Sequence, residues 1–141
     1  MTFVVPQLFF LRSMQTIYRK KEYHECMRGG CSLQVAILAS GSKGNSVYVE
    51  LDGVRILIDA GISAARITKG LRAHGVEPKS LDAVLVTHEH IDHVRGLKTL
   101  AKQYHLPILA TRGTLAGIDG GAAFADDMHR ISDEFTVGAV T

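Results

Sequence analysis

The segment Thr87-His88-Glu89-His90-Ile91-Asp92-His93 directly follows the apolar stretch Ala83-Val84-Leu85-Val86, and the two together decide the fold. Four side chains of metal-binding type lie within six residues of this segment: His88, His90, Asp92 and His93. Neutral imidazoles and a carboxylate form the ligand set that divalent zinc, manganese or iron prefers. Because the apolar stretch predicts a buried strand, we expect the ligands at the edge of a sheet, where a rigid scaffold meets an exposed loop.

The spacing of these ligands predicts two neighbouring metal sites. Alternate residues of an extended chain point to one side, so His88 and His90 are predicted to converge on one metal. Asp92 and His93 lie where the chain turns into a helix, from which they could reach a second metal. Two adjacent metals lower the pKa of a bridging water and stabilise the oxyanion of a hydrolysed ester, amide or phosphodiester. The alternative is a solvated histidine-rich loop, which has no need of four ligands in this order.

Three strands are predicted before the metal segment. Residues 33–39, 46–51 and 54–58 are apolar or alternate with period two, and Asp52-Gly53 is a strong hairpin signal between the last two. The loop that joins the first two strands contains glycines, which permit positive φ. The last two strands are therefore predicted to form an antiparallel hairpin.

Helices and strands alternate in the rest of the sequence. Ser63 and Gly75 mark the start and end of one helix, and the strand at 83–86 follows it. One helix is predicted after the metal segment, because apolar residues recur there at helical spacing: Val94, Leu97, Leu100, Ala101 and Tyr104. The remaining predicted elements are a strand at Ile108–Ala110, a short helix capped by Thr111, a loop at 120–123 and a strand at 134–140. This order indicates an α/β fold with a mixed sheet.

The composition is that of one soluble globular domain. The chain has 141 residues, of which 46% are hydrophobic and 21% are charged, and its net charge is +2. That small excess weakly favours anionic partners but does not by itself predict nucleic acid. The apolar run at residues 3–11 is much shorter than the ~20 residues of a membrane span, so we expect no membrane anchor.

The first part of the chain differs from the rest. Residues 1–31 lack a sustained helical or strand period and are predicted to be a poorly ordered extension, with residues 32–141 as the folded unit. Cys26 and Cys31 are the only cysteines, and their spacing forms neither a disulfide framework nor a zinc pair. We therefore expect a reducing compartment and a cytoplasmic location.

Several blocks of the sequence resemble the metallo-β-lactamase fold superfamily and, within it, the bacterial WalJ (YycJ) type. The blocks are Ile37-Leu38-Ala39-Ser40-Gly41-Ser42-Lys43-Gly44-Asn45-Ser46, Leu57-Ile58-Asp59-Ala60-Gly61, residues 86–93 and Gly113-Thr114. The resemblance covers residues 33–141 and implies an αββα sandwich that binds two divalent metal ions, zinc or manganese. For the WalJ type it implies a metal-dependent hydrolase that acts on DNA as a 5′→3′ exonuclease or phosphodiesterase.

The resemblance also implies roles for individual residues. His88 and His90 would bind the first metal, and Asp92 and His93 the second. Asp92 would be the catalytic residue as well, because it orients the hydroxide nucleophile. Asp59 matches an acidic residue that braces the metal loop. The alternative for Asp59 is a turn carboxylate that caps nearby amides.

The loop at residues 40–46 has two interpretations. Its glycines expose backbone N–H groups and Lys43 offers a positive charge, so the loop could contact a phosphate. It lacks the spacing of a Walker A motif, and a plain tight turn is the alternative. Because the resemblance places this loop beside the metals, Lys43 and Asn45 are candidate phosphate contacts.

The chain departs from the superfamily in its length. Members are longer, and their second half supplies further His and Asp ligands for which no matching run occurs here. We therefore expect the N-terminal half of such an enzyme, with weak or partial metal binding, since a zinc site normally needs three or four protein ligands. The strand Val84-Leu85-Val86 should be covered by helices on one face only, and its other, exposed face would favour self-association.

Two other functions stay open on the sequence alone. A metallohydrolase of small thioesters, lactones or lactams would use the same ligands. Glyoxalase-like members, however, usually carry paired glycines after the metal loop, where Val94-Arg95-Gly96-Leu97 has one. The second possibility is an inactive truncated fragment, or one that completes its site by dimerising.

Overall fold

The computed structural model of the chain describes residues 2–3, 32–118, 128–130 and 135–136. Several predictions fall outside these residues: the state of Cys26 and Cys31, most of the extension at 1–31, the loop at 120–123 and most of the strand at 134–140. No helix within the described ranges is long and apolar enough to cross a membrane.

The described strands of the main sheet are β2 (Leu33–Ala39), β3 (Ser46–Leu51), β4 (Val54–Ile58), β5 (Ala83–Leu85), β6 (Ile108–Ala110) and β7 (Met128–Arg130). They are hydrogen-bonded in sequence order. The pairs from β2 to β4 are antiparallel and those from β4 to β7 are parallel, which confirms the predicted α/β fold with a mixed sheet. A separate antiparallel ribbon joins β1 (Thr2–Phe3), within the predicted extension, to β8 (Phe135–Thr136). Neither β7 nor β1 was predicted from the sequence.

The β3–β4 hairpin shows why the early strands were predictable. Its two-residue turn has φ of 49° at Asp52 and 82° at Gly53, and a type I′ turn requires positive φ at both positions. The bounds of β2, β3 and β4 agree with the prediction. The strand predicted to reach Val86 ends one residue earlier, although the Val86 N–H still donates to the Leu109 carbonyl at 2.9 Å.

The first helix, α1 (Ala64–Ala73), begins and ends where the sequence predicts. The Ser63 hydroxyl accepts a hydrogen bond from the Arg66 N–H at 3.4 Å, which satisfies one of the free amides of the first turn. Ile67 and Leu71 are fully buried on the inner face. Gly75 has a φ of 74° just after the helix, in the left-handed conformation that favours glycine.

The single helix predicted after the metal segment is wrong. The structure has two helices, α2 (Ile91–Val94) and α3 (Leu97–Tyr104), with an interruption at Gly96. The Gly96 N–H donates to the Ala60 carbonyl at 2.8 Å, and a β-carbon on Gly96 would lie 2.3 Å from the Ile62 carbonyl oxygen. The chain therefore breaks where it must approach another loop closely. Helical spacing of apolar residues does not reveal such an approach.

The last described helix, α4 (Arg112–Gly117), confirms the predicted cap at Thr111. The Thr111 hydroxyl accepts a hydrogen bond from the Thr114 N–H at 3.3 Å. Within α4, a β-carbon built on Gly113 would have no heavy atom within 4 Å. Gly113 is thus a glycine whose replacement meets no steric obstacle.

Helices α1 and α3 cover one face of the sheet. Their buried residues, such as Ile67 and Leu100, share one apolar cluster with Tyr48, Leu57 and Val84 from the strands. Val84 therefore has the predicted helix cover. This face fixes the positions of the strand ends that carry the metal segment.

The opposite face of the sheet is less exposed than the sequence predicts. A second apolar cluster lies there, and its buried members are Val54, Ile56, Ala83, Leu85 and Leu109. The expectation of an uncovered face at the central strand β5 is thus wrong, since Leu85 is only 4% exposed. Exposed large apolar side chains on this face belong to the edge strand β2, where Ile37 is 64% exposed. Self-association is not tested by this burial and stays a prediction.

Candidate metal centre

The metal segment leaves the sheet beside the end of a neighbouring parallel strand. Ile58, the last residue of β4, pairs with Leu85, the last residue of β5. The Asp59 N–H continues the pairing by donating to the Leu85 carbonyl at 2.8 Å. The carboxyl ends of parallel strands are where ligand sites of α/β sheets form. Asp59 and the loop that begins at Thr87 therefore emerge together.

Three of the four predicted ligands converge. Nitrogen and carboxylate oxygen atoms of His88, Asp92 and His93 all lie within 4.8 Å of one another, and each residue is partly buried. His93 Nε2 is 3.4 Å from Asp92 Oδ2, and the ring centroids of His88 and His93 are 3.8 Å apart. One cation placed among these atoms could contact all three side chains. This cluster of His88, Asp92 and His93 is called the ligand cluster below.

His90, the fourth predicted ligand, adjoins the ligand cluster but is not part of it. Its ring packs edge-on against the His88 ring with centroids 4.7 Å apart. The His90 backbone is extended, with φ of −62° and ψ of 146°, and the residue caps α2. The pairing of His88 with His90 on one metal stays a prediction.

Asp59 contacts the ligand cluster through His93, on the side of the ring that faces away from Asp92. It is only 5% exposed, and its Oδ2 lies 2.7 Å from His93 Nδ1. Its Oδ1 accepts a hydrogen bond from the Thr87 N–H at 2.8 Å. The carboxylate oxygens of Asp59 accept hydrogen bonds, so they hold the His93 ring with Nδ1 toward Asp59 and Nε2 toward Asp92. The backbone φ of 60° at Asp59 is the left-handed conformation that aims this carboxylate inward.

Thr87 belongs to the site, although the sequence analysis gave it no role. Its hydroxyl donates to Asp59 Oδ2 at 2.8 Å and lies 3.0 Å from His88 Nδ1. It is also 3.3 Å from His93 Nδ1. One hydroxyl thus links the bracing carboxylate to both imidazoles of the ligand cluster. The signal in the sequence was its position between the strand and the first histidine.

Asn45 joins the loop at residues 40–46 to the ligand cluster. Its side-chain oxygen accepts from the Gly41 N–H at 3.0 Å and its amide donates to the Gly41 carbonyl at 3.1 Å. The same amide nitrogen lies 3.2 Å from His93 Nε2 and 3.4 Å from Asp92 Oδ2. Lys43 is exposed in this loop. The carboxamide of Asn45 is therefore bonded within the protein, whereas Lys43 faces solvent.

Gly61 lies at the closest backbone approach of the site. Its N–H donates to the Asn45 carbonyl, and the Asn45 N–H donates to the Asp92 carbonyl, both at 2.8 Å. A β-carbon on Gly61 would lie 1.6 Å from the Asp92 carbonyl oxygen. Three segments distant in sequence are thus joined by main-chain hydrogen bonds beneath the ligand cluster. This role of Gly61 was not predicted from the sequence.

Comparisons with known proteins agree with the geometry. Residues 39–133 match the sequence profile of the Metallo-beta-lactamase superfamily. Exodeoxyribonuclease WalJ of Streptococcus pneumoniae is 46% identical over 79 residues, which are 56% of this chain and 29% of that protein. Exodeoxyribonuclease YycJ of Bacillus anthracis is 40% identical over 82 residues, 58% of this chain and 31% of that protein. The chain thus spans less than a third of the length of these relatives.

A solved structure supports the fold independently of the site. The metallo-β-lactamase of Cronobacter sakazakii superposes with a TM-score of 0.53 at 24% identity, and the match covers 58% of this chain and 33% of that one. The profile match, the shared fold and the ligand cluster at the strand ends confirm the resemblance on which the sequence analysis relied. The chain belongs to the metallo-β-lactamase superfamily.

Proposed function

We propose that this chain provides the metal-binding part of a metal-dependent phosphodiesterase that acts on DNA as a 5′→3′ exonuclease. Membership in the superfamily implies divalent metal binding, and His88, Asp92 and His93 could hold an ion. The convergence of these three side chains is the observation that carries the proposal. The names of two relatives, both exodeoxyribonucleases, support DNA as the substrate.

The donor set fits divalent cations, and we propose two of them, zinc or manganese. His88 and His90 would hold the first ion, and Asp92 and His93 the second. When bound, these ions would supply Lewis acidity to the attacking water and to the phosphoryl oxygens. Because two ligands per ion are fewer than the three or four of a usual zinc site, we expect weak metal binding by the described residues alone.

Asp92 is proposed to hold the attacking water. Its side chain is 28% exposed, so water and substrate can reach it. Asn45 Nδ2 and His93 Nε2, each 3.4 Å from Asp92 Oδ2, restrict the orientation of the carboxylate. A carboxylate oriented in this way accepts a hydrogen bond from the water and turns the oxygen lone pair toward phosphorus.

The loop at residues 40–46 is proposed to act in two ways. Lys43 is exposed and remains the candidate contact to a substrate phosphate. Asn45 is better placed to brace the site, since its amide lies within 3.4 Å of both His93 and Asp92. A braced ligand keeps its orientation when the substrate arrives.

Asp59→Asn is expected to lower the affinity of this chain for Mn²⁺ and Zn²⁺ about tenfold to a hundredfold. The substitution places an NH2 group opposite either the Thr87 N–H or the His93 Nδ1–H, so two donors would face each other. His93 would then lose the hydrogen bond that holds its ring in place. Calorimetric metal titration of the folded variant measures the change.

Asp82→Asn is the matched control for that substitution. The Asp82 carboxylate also accepts a backbone N–H, from Arg55 at 2.7 Å, at the opposite end of β4 and β5. We expect its metal affinity to equal that of the unmodified chain. Equal losses in both variants would show that the Asp59 effect is a general consequence of neutralising a carboxylate.

The proposed reaction is tested in a hybrid protein, called the graft below. In the graft, the 79 matched residues of Streptococcus pneumoniae WalJ are replaced by the corresponding residues of this chain. We expect it to release nucleotides from the 5′ ends of labelled double-stranded DNA with Mn²⁺ or Zn²⁺, and to stop when EDTA is added. A folded, metal-loaded graft that leaves DNA intact but hydrolyses a thioester or a lactam would refute the proposal.

A further inference from the structure

We propose that the groove between α1 and α3 binds the sugar-phosphate backbone of nucleic acid outside the ligand cluster. The choice of nucleic acid as the partner rests on the function proposed above. The site itself rests on three separate observations: the distribution of charge, the shape and chemistry of the groove, and its position relative to the ligand cluster.

The two helices carry positive charge without any acidic residue. Residues 60–76 and 93–118 contain no Asp or Glu. The exposed cations of this helix layer are Arg66, Lys69, Arg72, Arg95, Lys98 and Lys102. Within residues 32–118, their one salt bridge joins Arg72 to Glu77 at 3.2 Å. A chain with a net charge of only +2 therefore concentrates cations on one surface, which is the electrostatic footprint of a polyanion site.

The groove itself offers neutral donors beside two of these cations. It has a volume of about 600 Å³ and is lined by Thr68, Lys69, Arg72, Thr99, Gln103 and Tyr104, among others. Gln103 Nε2 donates to the Tyr104 hydroxyl at 3.1 Å, and that hydroxyl lies 3.5 Å from Thr68 Oγ1. Hydroxyl and amide groups next to Lys and Arg are the groups that proteins use to contact phosphates.

Helical geometry places further cations along the rim of the groove. Lys98 and Lys102 are four residues apart within α3, so they share one stripe of that helix next to Thr99 and Gln103. On α1, Lys69 and Arg72 are three residues apart on one stripe, and both line the groove. Two cationic rows with a concave polar strip between them suit a linear polyanion. An interfacial membrane site would instead present an apolar face to the acyl chains.

One end of the groove lies close to the ligand cluster. A β-carbon on Gly96 would be 2.9 Å from Ala64 N, so the first turns of α1 and α3 meet there. Ala64 lines the groove, and Gly96 comes three residues after His93. Helix α1 is about 15 Å long, which matches roughly four phosphates of one DNA strand. A strand whose end reaches the ligand cluster could therefore continue along the helices.

The test measures DNA binding by this chain without metal, so that hydrolysis plays no part. Fluorescence anisotropy with a labelled DNA duplex in EDTA gives the affinity at several salt concentrations. Lys69→Gln combined with Lys102→Gln is expected to weaken binding at least about tenfold and to reduce the salt slope by about two, since each phosphate contact contributes close to one. Both positions are exposed on helices, and circular dichroism verifies folding.

Lys69→Gln is also measured alone, and Lys79→Gln is its matched control, because each removes one exposed lysine charge. Lys79 lies in the turn Pro78–Ser80, away from the groove lining. We expect Lys79→Gln to leave affinity and salt slope unchanged. An unaltered affinity in the double variant, or an equal loss in Lys79→Gln, would overturn the proposal. Binding to phosphatidylserine vesicles but not to DNA would overturn it in favour of a membrane.

The two proposals fail in different experiments. If the groove variants lose DNA binding while the graft does not cleave DNA, the groove proposal is supported and the nuclease proposal is refuted. If the graft cleaves DNA but the groove variants bind DNA as before, the nuclease proposal is supported and the groove proposal is refuted.

Discussion

Asp92→Ala in the graft is expected to reduce the rate of DNA hydrolysis about a thousandfold, the contribution typical of a positioned acid or base. The variant removes a group of the ligand cluster and the carboxylate proposed to hold the attacking water. Its effect should exceed that of Asp59→Asn, because Asp59 acts through His93 and Thr87. Single-turnover cleavage of 5′-labelled duplex DNA with saturating metal measures the chemical step separately from binding.

Glu89→Ala is the control for Asp92→Ala. Glu89 is an exposed carboxylate of the same loop, and it lies outside the ligand cluster. Its removal changes the local charge by the same amount but leaves the ligand cluster complete, so we expect the cleavage rate to stay within about twofold. Asp92→Asn keeps the side-chain volume and tests the charge. Retention of full activity in both Asp92 variants would exclude this residue from the reaction.

What the sequence predicted well is local in the chain. The strands β2, β3 and β4 follow from alternation and from a two-residue turn, both of which act within a few residues. The gathering of metal-binding side chains at one strand end is local as well, because they leave one strand and enter one short helix, whereas their division between two metals stays a prediction. Such features can be predicted from a short window of sequence, because the residues that determine them are neighbours in the chain.

What the sequence did not predict depends on contacts between distant segments. The break at Gly96 is set by the Ile62 carbonyl, and the glycine alone is a weak signal, because a single glycine is often tolerated within a helix. The Asn45 amide reaches Asp92 and His93 across 47 and 48 residues. The burial of Leu85 on the sheet face away from the helices was not predicted for the same reason. The sequence of an apolar strand does not show which segments cover it. Resemblance to a family supplied the ligand roles, but not these supports.

Gly61 provides the sharpest test of the idea that distant backbone contacts build the site. Gly61→Ala is expected to destabilise the fold by at least about 3 kcal/mol, the upper range for overpacking, because the obstacle is main chain. The added methyl group would lie 1.6 Å from the Asp92 carbonyl oxygen and 2.6 Å from Asn45 N. The flexible end of a side chain could move aside, whereas these atoms are held by a mutual hydrogen bond of 2.8 Å.

Gly113→Ala is the matched control for Gly61→Ala. No heavy atom lies within 4 Å of a β-carbon at Gly113, which is inside α4. Alanine is favoured over glycine within a helix by about 0.5–1 kcal/mol, so this variant should be slightly stabilised. Urea denaturation followed by circular dichroism compares the two variants with the unmodified chain. A Gly61→Ala chain as stable as the Gly113→Ala chain would contradict the close approach of residue 61 to Asp92.

Measuring both the stability and the metal affinity of Gly61→Ala distinguishes an effect on the fold from an effect on the ligand cluster. If the chain relaxes by moving the Asp92 backbone, the carboxylate moves with it and metal affinity falls even in the folded fraction. If it relaxes elsewhere, stability falls but the folded fraction binds metal as before. We expect the first result, because the Asn45–Asp92 hydrogen bond connects the displaced carbonyl to the loop that braces the ligand cluster. Normal metal affinity in the folded variant would show that the ligand cluster holds its geometry without that backbone support.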